Sequence, residues 1–375
     1  VRRQWNRIIE LFDEHLLPLG FDLNGHASDG DARRFEEQLA DMTSKDGERY
    51  GLFAPDWKGC TLSARVVEKG GRRVVYGIHS QDWIHNGKKL LRPLDNASRV
   101  LDLGGHTATH HHVRRVRVYF PASEHNLTEK AVDKIDPQDF TLLQVIVSRK
   151  VIDCLERLQE ETGEDTLGTR CFLELVREYV LIFCSKKLTL LERIESSGFI
   201  LDFLRLWRGW LAASKEDWNQ KCIPKPAYEH IAMSCHEVIL RVMHNMEFCP
   251  QLPKHLDESG SDICEISFFE IGGYGRIQTA RRSFRFNDAL ETAGDLDLLA
   301  LYRCDSKVSL EFKRTHEKSE IIITKEETGD DADLAVYPND RDEIIEALER
   351  GRSRARDLAA KLDMKPTPGA DGKLP

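Results

Sequence analysis

The sequence lacks the marks of several common protein classes. Its nine cysteines, at 60, 154, 171, 184, 222, 235, 249, 264 and 304, form no CxxC pair. An odd, scattered set argues for reduced thiols in an intracellular protein and against a disulfide framework. No apolar run reaches the roughly 18 residues of a membrane helix, so no membrane partner is expected. No Walker A loop is present, and IGGYGRI (271–277) lacks the strand-then-helix setting of a dinucleotide fingerprint. An excess of positive charge is missing too. Lys and Arg number 54 against 63 Asp and Glu, a net charge of −9, which argues against bulk electrostatic binding to nucleic acid and leaves only local basic clusters. The first residues, VRRQWNRIIELFDEHLL, read as a charged amphipathic helix and not as a signal sequence. The chain does not begin with Met, and the expectation is a fragment whose N-terminal part is missing.

What is present is an ordinary globular composition over 375 residues, 41% apolar and 31% charged, long enough for two or three domains. Trp5, Ile8, Ile9, Phe12, Leu16 and Leu17 share one helical face, and Gly20 ends it. FDLNGHAS (21–28) reads as a short strand. Asp29 stands at its end, and Asp31 suits the cap of a helix starting ARRFEEQLADM. TLSARVVEKGGRRVVYGIH (61–79) reads as a β-hairpin turning at Gly70-Gly71, and its second arm leads to Asp82. From 106 to 255 long helical patterns dominate, among them DPQDFTLLQVIVSRKVIDCLERLQ, CFLELVREYVLIF and LLERIESSGFILDFLRLWRGWL. The last is apolar nearly all round, so it is expected to be buried, and its aromatic residues are read as core, not as a base-stacking platform. KVSLEFKR and SEIIITKEE suggest a late hairpin, DRDEIIEALERGRSRARDLAAKL an exposed charged helix, and KPTPGADGKLP a disordered tail.

Two histidine-bearing stretches invite a zinc reading. HTATHHH (106–112) has no cysteine pair near it, and Cys235, His236, His244, Cys249 and His255 are spaced more loosely than structural zinc ligands, so both are read mainly as core or surface.

Three acids stand out: Asp29, Asp82 and Glu265. Each follows a strand or sits in a short helix beside Gly or Arg. Separate carboxylates that converge in a fold are what a two-metal phosphoryl-transfer site needs, because Mg²⁺ prefers oxygen ligands and two ions can activate a nucleophile and stabilise a leaving oxygen. Taken singly, an Asp before a helix is usually a cap, and DGD is usually a turn.

The combination is more specific. It reads SDGD-x-RR, then Q-D-x-x-H-x-x-K-K-L, then S-D-x-x-E-x-x-F-F-x-x-G-G after a long helical stretch. It resembles cut-and-paste DNA transposases of the DDE type, broadly the P-element-like enzymes, over about residues 1–300. The matching positions are Asp29-Gly30; Asp82, His85 and Lys88; and Asp262, Glu265, Phe268 and Phe269. The resemblance implies an α/β fold, an RNase H-like mixed sheet interrupted by a large all-α insertion. The core would span 1–105, the insertion 106–255, a closing helix with the third acid 256–300, and a hairpin, charged helix and tail 301–375. It implies Mg²⁺ or Mn²⁺ held by Asp29, Asp82 and Glu265, with Asp31, His85, Lys88 and Asp262 accessory. It implies DNA, at transposon ends, as partner, a homo-oligomer and a nuclear location. Lys88, Lys89, Arg114, Arg115, Arg117, Arg276, Arg281 and Arg282 are the basic residues that would line the DNA backbone.

Two mappings stay open. The helix before Asp29 fits the strand that carries the second acid, which makes Asp82 accessory and puts the first acid upstream of Val1; the order of elements that βαβ packing permits favours this. In the other, Asp29 and Asp82 are the first two acids. Two further readings are a domesticated or inactive derivative that binds DNA or protein without chemistry, and an α-rich scaffold with no site.

Overall fold

The computed structural model describes residues 32–52, 62–133 except 97, 139–251, 323–327 and 329–364, with short pieces at 9–11, 13–15, 18, 25, 27–28 and 256. The chain divides into two units, the first comprising Val1–Ser259 and Ile321–Pro375, the second Gly260–Glu320. All of the second lies outside the described residues, and with it the expectations for Asp262, Glu265, Arg276, Arg281 and Arg282. The expectations for Asp29, Asp31, His255 and the 365–375 tail also lie outside them.

The described fold is mixed α/β, with small sheets and many helices. Strand β1 is Ala27–Ser28, followed by α1, Ala32–Thr43. Strands β2 (Glu48–Tyr50), β3 (Ala64–Lys69) and β4 (Arg72–Tyr76) form an antiparallel sheet in that order. The hairpin expected over 61–79 is present as β3 and β4. Gly70 and Gly71 make its turn with φ of 57° and 75°, the left-handed conformation that glycine adopts without a Cβ clash. Strand β5, Ser80–Gln81, leaves that sheet and runs parallel to β1. Helix α2, Trp83–Leu91, starts at once, and a 3₁₀ turn over Arg92–Asp95 closes it. A second hairpin, β6 (Leu101–Leu103) and β7 (His106–Ala108), turns on Gly104-Gly105.

Helices then follow almost without interruption: α3 (His110–Tyr119), α4 (Ala122–His125), α5 (Glu129–Asp133), α6 (Phe140–Ile146) and α7 (Arg149–Thr162). After them come α8 (Leu167–Cys184), α9 (Leu190–Ala213), α10 (Trp218–Lys221) and α11 (Lys225–Phe248). Their limits follow local chemistry. Asp139 and Ser148 cap α6 and α7, and Gly163 ends α7 at φ 72°. Thr189 and Glu192 form a reciprocal capping box at the start of α9. The fully buried Arg193 guanidinium donates to the carbonyls of Ile182, Ser185 and Leu188, closing the C-terminal end of α8, where carbonyls lack helical partners.

The main core crosses the expected 105/106 boundary. Trp83 of α2 stacks on Phe183 of α8 at 5.7 Å between ring centroids and meets Phe140 of α6 edge-on. Leu101, Val113, Phe172 and Trp207 belong to the same cluster. A second cluster joins Phe35 and Met42 of α1 and Val75 and Ile78 near β4 to Met233 and Met243 of α11. As expected from its all-round apolar pattern, α9 is buried: Ile194, Ile200, Phe203, Trp207 and Leu211 are all closed to solvent or nearly so.

The last helix departs from expectation. Helix α12, Arg341–Lys361, is not an exposed charged helix: Ile344, Ala347, Leu348, Gly351, Arg352, Ala355 and Ala359 form a buried face. It lies against α9, where Gly351 meets the Glu195 carbonyl so closely that a Cβ would stand 2.2 Å from that oxygen. Arg352, itself buried, donates to Asp202 at 2.8 Å. Of the expected late hairpin, residues 307–322 lie outside the described residues, and Ile323–Glu326 form a 3₁₀ turn. No described helix is long and apolar enough to cross a membrane.

Candidate functional site

The site begins with a pair of two-residue strands. Ala27 pairs with Ser80 and Ser28 with Gln81, in parallel register. Parallel pairing makes both strands end on the same side. The next residue after Gln81 is Asp82, and its backbone N–H continues the ladder by donating to the Ser28 carbonyl at 2.8 Å. The next residue after Ser28 in the sequence is Asp29. Two of the three sequence positions read as catalytic acids, Asp29 and Asp82, therefore come directly after two registered parallel strands in the sequence.

A polar layer fixes this register. Gln38, fully buried on α1, accepts at its Oε1 from the Ser28 hydroxyl at 3.1 Å and from Gln81 Nε2. Its Nε2 donates to the Ser80 carbonyl at 3.4 Å. Gln81 Nε2 also donates to the Ser28 hydroxyl at 2.8 Å. Three side chains thus tie α1, β1 and β5 together; Gln38 and Gln81 are buried, where an unmade hydrogen bond would be costly, and Ser28 is half-buried. Sequence reasoning passed over Gln38, and it quoted Ser28 and Gln81 in the motifs without giving either a role. The available signal was a glutamine in the middle of the apolar stripe of Phe35, Leu39 and Met42.

Asp82 is wholly buried. Its Oδ1 accepts from the His85 backbone N–H at 2.8 Å, which caps α2, and its Oδ2 stands 3.2 Å from His85 Nδ1. Asp82 and His85 are thus brought together as the spacing suggested, three residues apart across the first turn of a helix. The one-turn geometry that joins them is equally that of an ordinary N-cap. Lys88 and Lys89, further along α2, are half-buried. Lys89 Nζ lies 3.3 Å from His230 Nδ1 of α11. Burial, with Lys89 adding to it, pushes the His230 pKa down to about 4, and its ring packs 4.2 Å from Phe35.

Beside β5 stands a second dyad. His79 is buried, and its Nε2 meets Asp41 Oδ2 at 3.0 Å, while Arg65 Nε meets Asp41 Oδ1 at 2.9 Å. Burial lowers the His79 pKa despite the aspartate.

The basic stretch of α3 is committed to its own fold. Arg114 donates to the Val132 and Asp133 carbonyls at 2.8 and 3.1 Å, and Arg115 pairs with Glu164 at 3.2 Å. Arg117 is half-buried on the same helix. The histidines of HTATHHH serve structure as well. His106 holds Asp165 at 2.7 Å, His110 meets the Ala131 carbonyl at 3.1 Å, and His112 meets the Thr169 hydroxyl at 2.6 Å. Among the described residues no three His, Cys, Asp or Glu side chains gather to hold a metal ion. Cys235, His236 and His244 are buried along α11. Among the described residues of this site, Asp82 and His85 are side chains of metal-ligating type, and each already engages the other.

No protein-family model, no curated protein and no solved structure matches this chain.

Proposed function

We propose that this chain is a DNA transposase of the DDE type, with an RNase H-like core that cleaves and transfers DNA strands at transposon ends using Mg²⁺ or Mn²⁺. The observation that carries the reading is the parallel register of Ser28 with Gln81, with Asp29 and Asp82 next in sequence after them. Neighbouring parallel strands ending in carboxylates are a suitable base for metal ions, because side chains at adjacent strand ends can share a ligand. This arrangement supports the mapping in which Asp29 and Asp82 are the first two acids, with Glu265 as the third.

Asp29, Asp82 and Glu265 would hold the metals, which would supply Lewis acidity. A water oxygen forms a bond to phosphorus in line with the 3′-oxygen, which departs with its electron pair and is protonated to a 3′-hydroxyl. That hydroxyl then attacks a phosphodiester of the target and displaces its 3′-oxygen. His85 would orient the Asp82 carboxylate, and Lys88, half-buried on the same helix, is the basic residue nearest in sequence that would meet a strand backbone.

Conversion of supercoiled plasmid to the nicked form tests the reading. It is expected with Mg²⁺ or Mn²⁺, to be absent with EDTA, and to be lost in Asp82→Asn. That variant keeps an oxygen to cap α2, so the fold is retained. Absence of nicking with either ion would overturn the catalytic reading.

A second reading is favoured by the complete burial of Asp82 and the use of its Oδ1 as a helix cap. In it the chain is a domesticated relative that binds DNA or protein without chemistry. DNA binding that survives Asp82→Asn, with no cleavage by wild type, is its signature.

A further inference from the structure

Four arginines are buried among the described residues: Arg177, Arg193, Arg208 and Arg352. Arg193 and Arg352 have carbonyl or carboxylate partners, and Arg177 is also engaged. Arg208, on α9, is different. It is 4% exposed, and its Nε and Nη1 are buried without any hydrogen-bond partner. Its guanidinium carbon lies 4.0 Å from the ring centroid of Trp218 and 4.2 Å from that of Tyr228. Both rings stand close enough for their π-electrons to attract the cation. Neither is a hydrogen-bond partner for the Nε–H and Nη1–H donors, which point to different sides of the guanidinium.

Arg205 stands one turn earlier on the same helix. Its Nη2 holds Asp202 Oδ1 at 2.5 Å, but its Nη1 is buried without a hydrogen-bond partner. Burial pushes the Tyr228 phenol up, against the charges of Arg208 and Arg205. Asp202 is already shared between Arg205 and Arg352. Glu229 lies 3.7 Å from Lys225. Tyr228 belongs to the first turn of α11, whose cap residue, Pro224, gives no side-chain hydrogen bond. The open end of a helix adds positive potential at the same place. On α10, Trp218 is half-buried, and the next two residues, Asn219 and Gln220, are exposed.

We propose that Arg208, Arg205 and Tyr228 form a binding site for a phosphate group, closed over by Trp218. A phosphate oxygen is a strong acceptor for a guanidinium N–H, and its negative charge pairs with the buried cation. The group is carried by free inorganic phosphate or by the phosphodiester backbone of a single strand. The site lies on α9 and α11 and does not depend on the strand-cleavage reading.

Calorimetric titration of the full chain with inorganic phosphate, against chloride at equal ionic strength, tests the proposal. A parallel titration uses a single-stranded oligonucleotide. Wild type is expected to bind at least one of them saturably. Binding of the oligonucleotide that inorganic phosphate displaces assigns the site to the strand backbone, and binding of phosphate alone assigns it to the free ion. Arg208→Lys keeps the charge and loses the fork, and is expected to weaken binding about tenfold or more. Should that variant fail to fold, Arg205→Gln and Tyr228→Phe carry the test, each expected to weaken binding several-fold. No saturable binding by wild type, or binding that all folded variants retain in full, overturns the proposal.

Discussion

Ser28 and Gln81 are register partners in neighbouring parallel strands, and their side chains are joined directly, Gln81 Nε2 donating to the Ser28 hydroxyl at 2.8 Å. Two residues per strand is too short a ladder to fix a register by itself. The buried amide of Gln38, bonded to both side chains and to the Ser80 carbonyl, supplies what the ladder lacks. Gln38→Leu is expected to remove that tie and leave the Ser28 and Gln81 polar groups unsatisfied. The cost is about 1–3 kcal/mol, read as a lower urea midpoint. An unchanged midpoint would show that the register is held elsewhere.

Asp82 has two separable roles, and two substitutions divide them. Asp82→Ala loses the cap on α2 and is expected to destabilise by about 1 kcal/mol or more. Asp82→Asn keeps an oxygen for the His85 N–H and is expected to cost less, while losing the negative charge. Thermal melts of the two variants check the order, and equal losses would mean that the cap contributes nothing.

The hairpin over 61–79 and the buried character of α9 are legible in the sequence, because Gly70-Gly71 between β-branched arms and an all-round apolar helix are strong local signals. The docking of α12 is not. Beyond Ile344 and Leu348, its buried face is made of Ala347, Gly351, Ala355 and Ala359 among many charges, and small residues carry little hydropathy. Their meaning is steric, since they let two backbones approach, and that depends on a partner helix more than 100 residues away. Of the candidate site, only local relations are legible. The D-x-x-H spacing is enough to bring Asp82 and His85 together, whereas the role of Gln38 depends on β1 and β5 meeting.

The contact between α9 and α12 yields a further test. A side chain at 351 would collide with the Glu195 carbonyl. Gly351→Val is therefore expected to push the helices apart and destabilise by several kcal/mol, about 1–3 or more for an overpacked core site. Chemical denaturation measures it, and a neutral result would contradict the close packing.

The buried pair of Asp202 and Arg352 fastens the same contact. Asp202→Ala leaves the Arg352 charge poorly compensated in a buried setting and is expected to cost about 3–5 kcal/mol. Replacing both residues with apolar side chains of similar volume should recover most of that loss. A single-variant loss no larger than that of an exposed pair, about 0–1 kcal/mol, would refute the assignment.

His230 gives a pH signature. Its folded pKa of about 4 lies below the ordinary 6.5, so the folded state favours the neutral ring. Below 6.5 the unfolded chain binds a proton that the folded chain does not, and stability falls as the pH drops from 6.5 toward 4. Lys89 and the Phe35 ring are the groups packed against it. Thermal melts across that range should show a decline that His230→Gln reduces, and an identical decline in the variant would rule out this residue as the cause.

The central claim is that the residues following the two registered strands act together on one metal centre. Mn²⁺ binding followed by electron paramagnetic resonance tests it most directly, with Asp31→Asn as the control. Wild type and Asp31→Asn are expected to bind Mn²⁺, and Asp29→Asn and Asp82→Asn each to lose it. Binding that survives both of those substitutions, or no binding by wild type, would contradict the account.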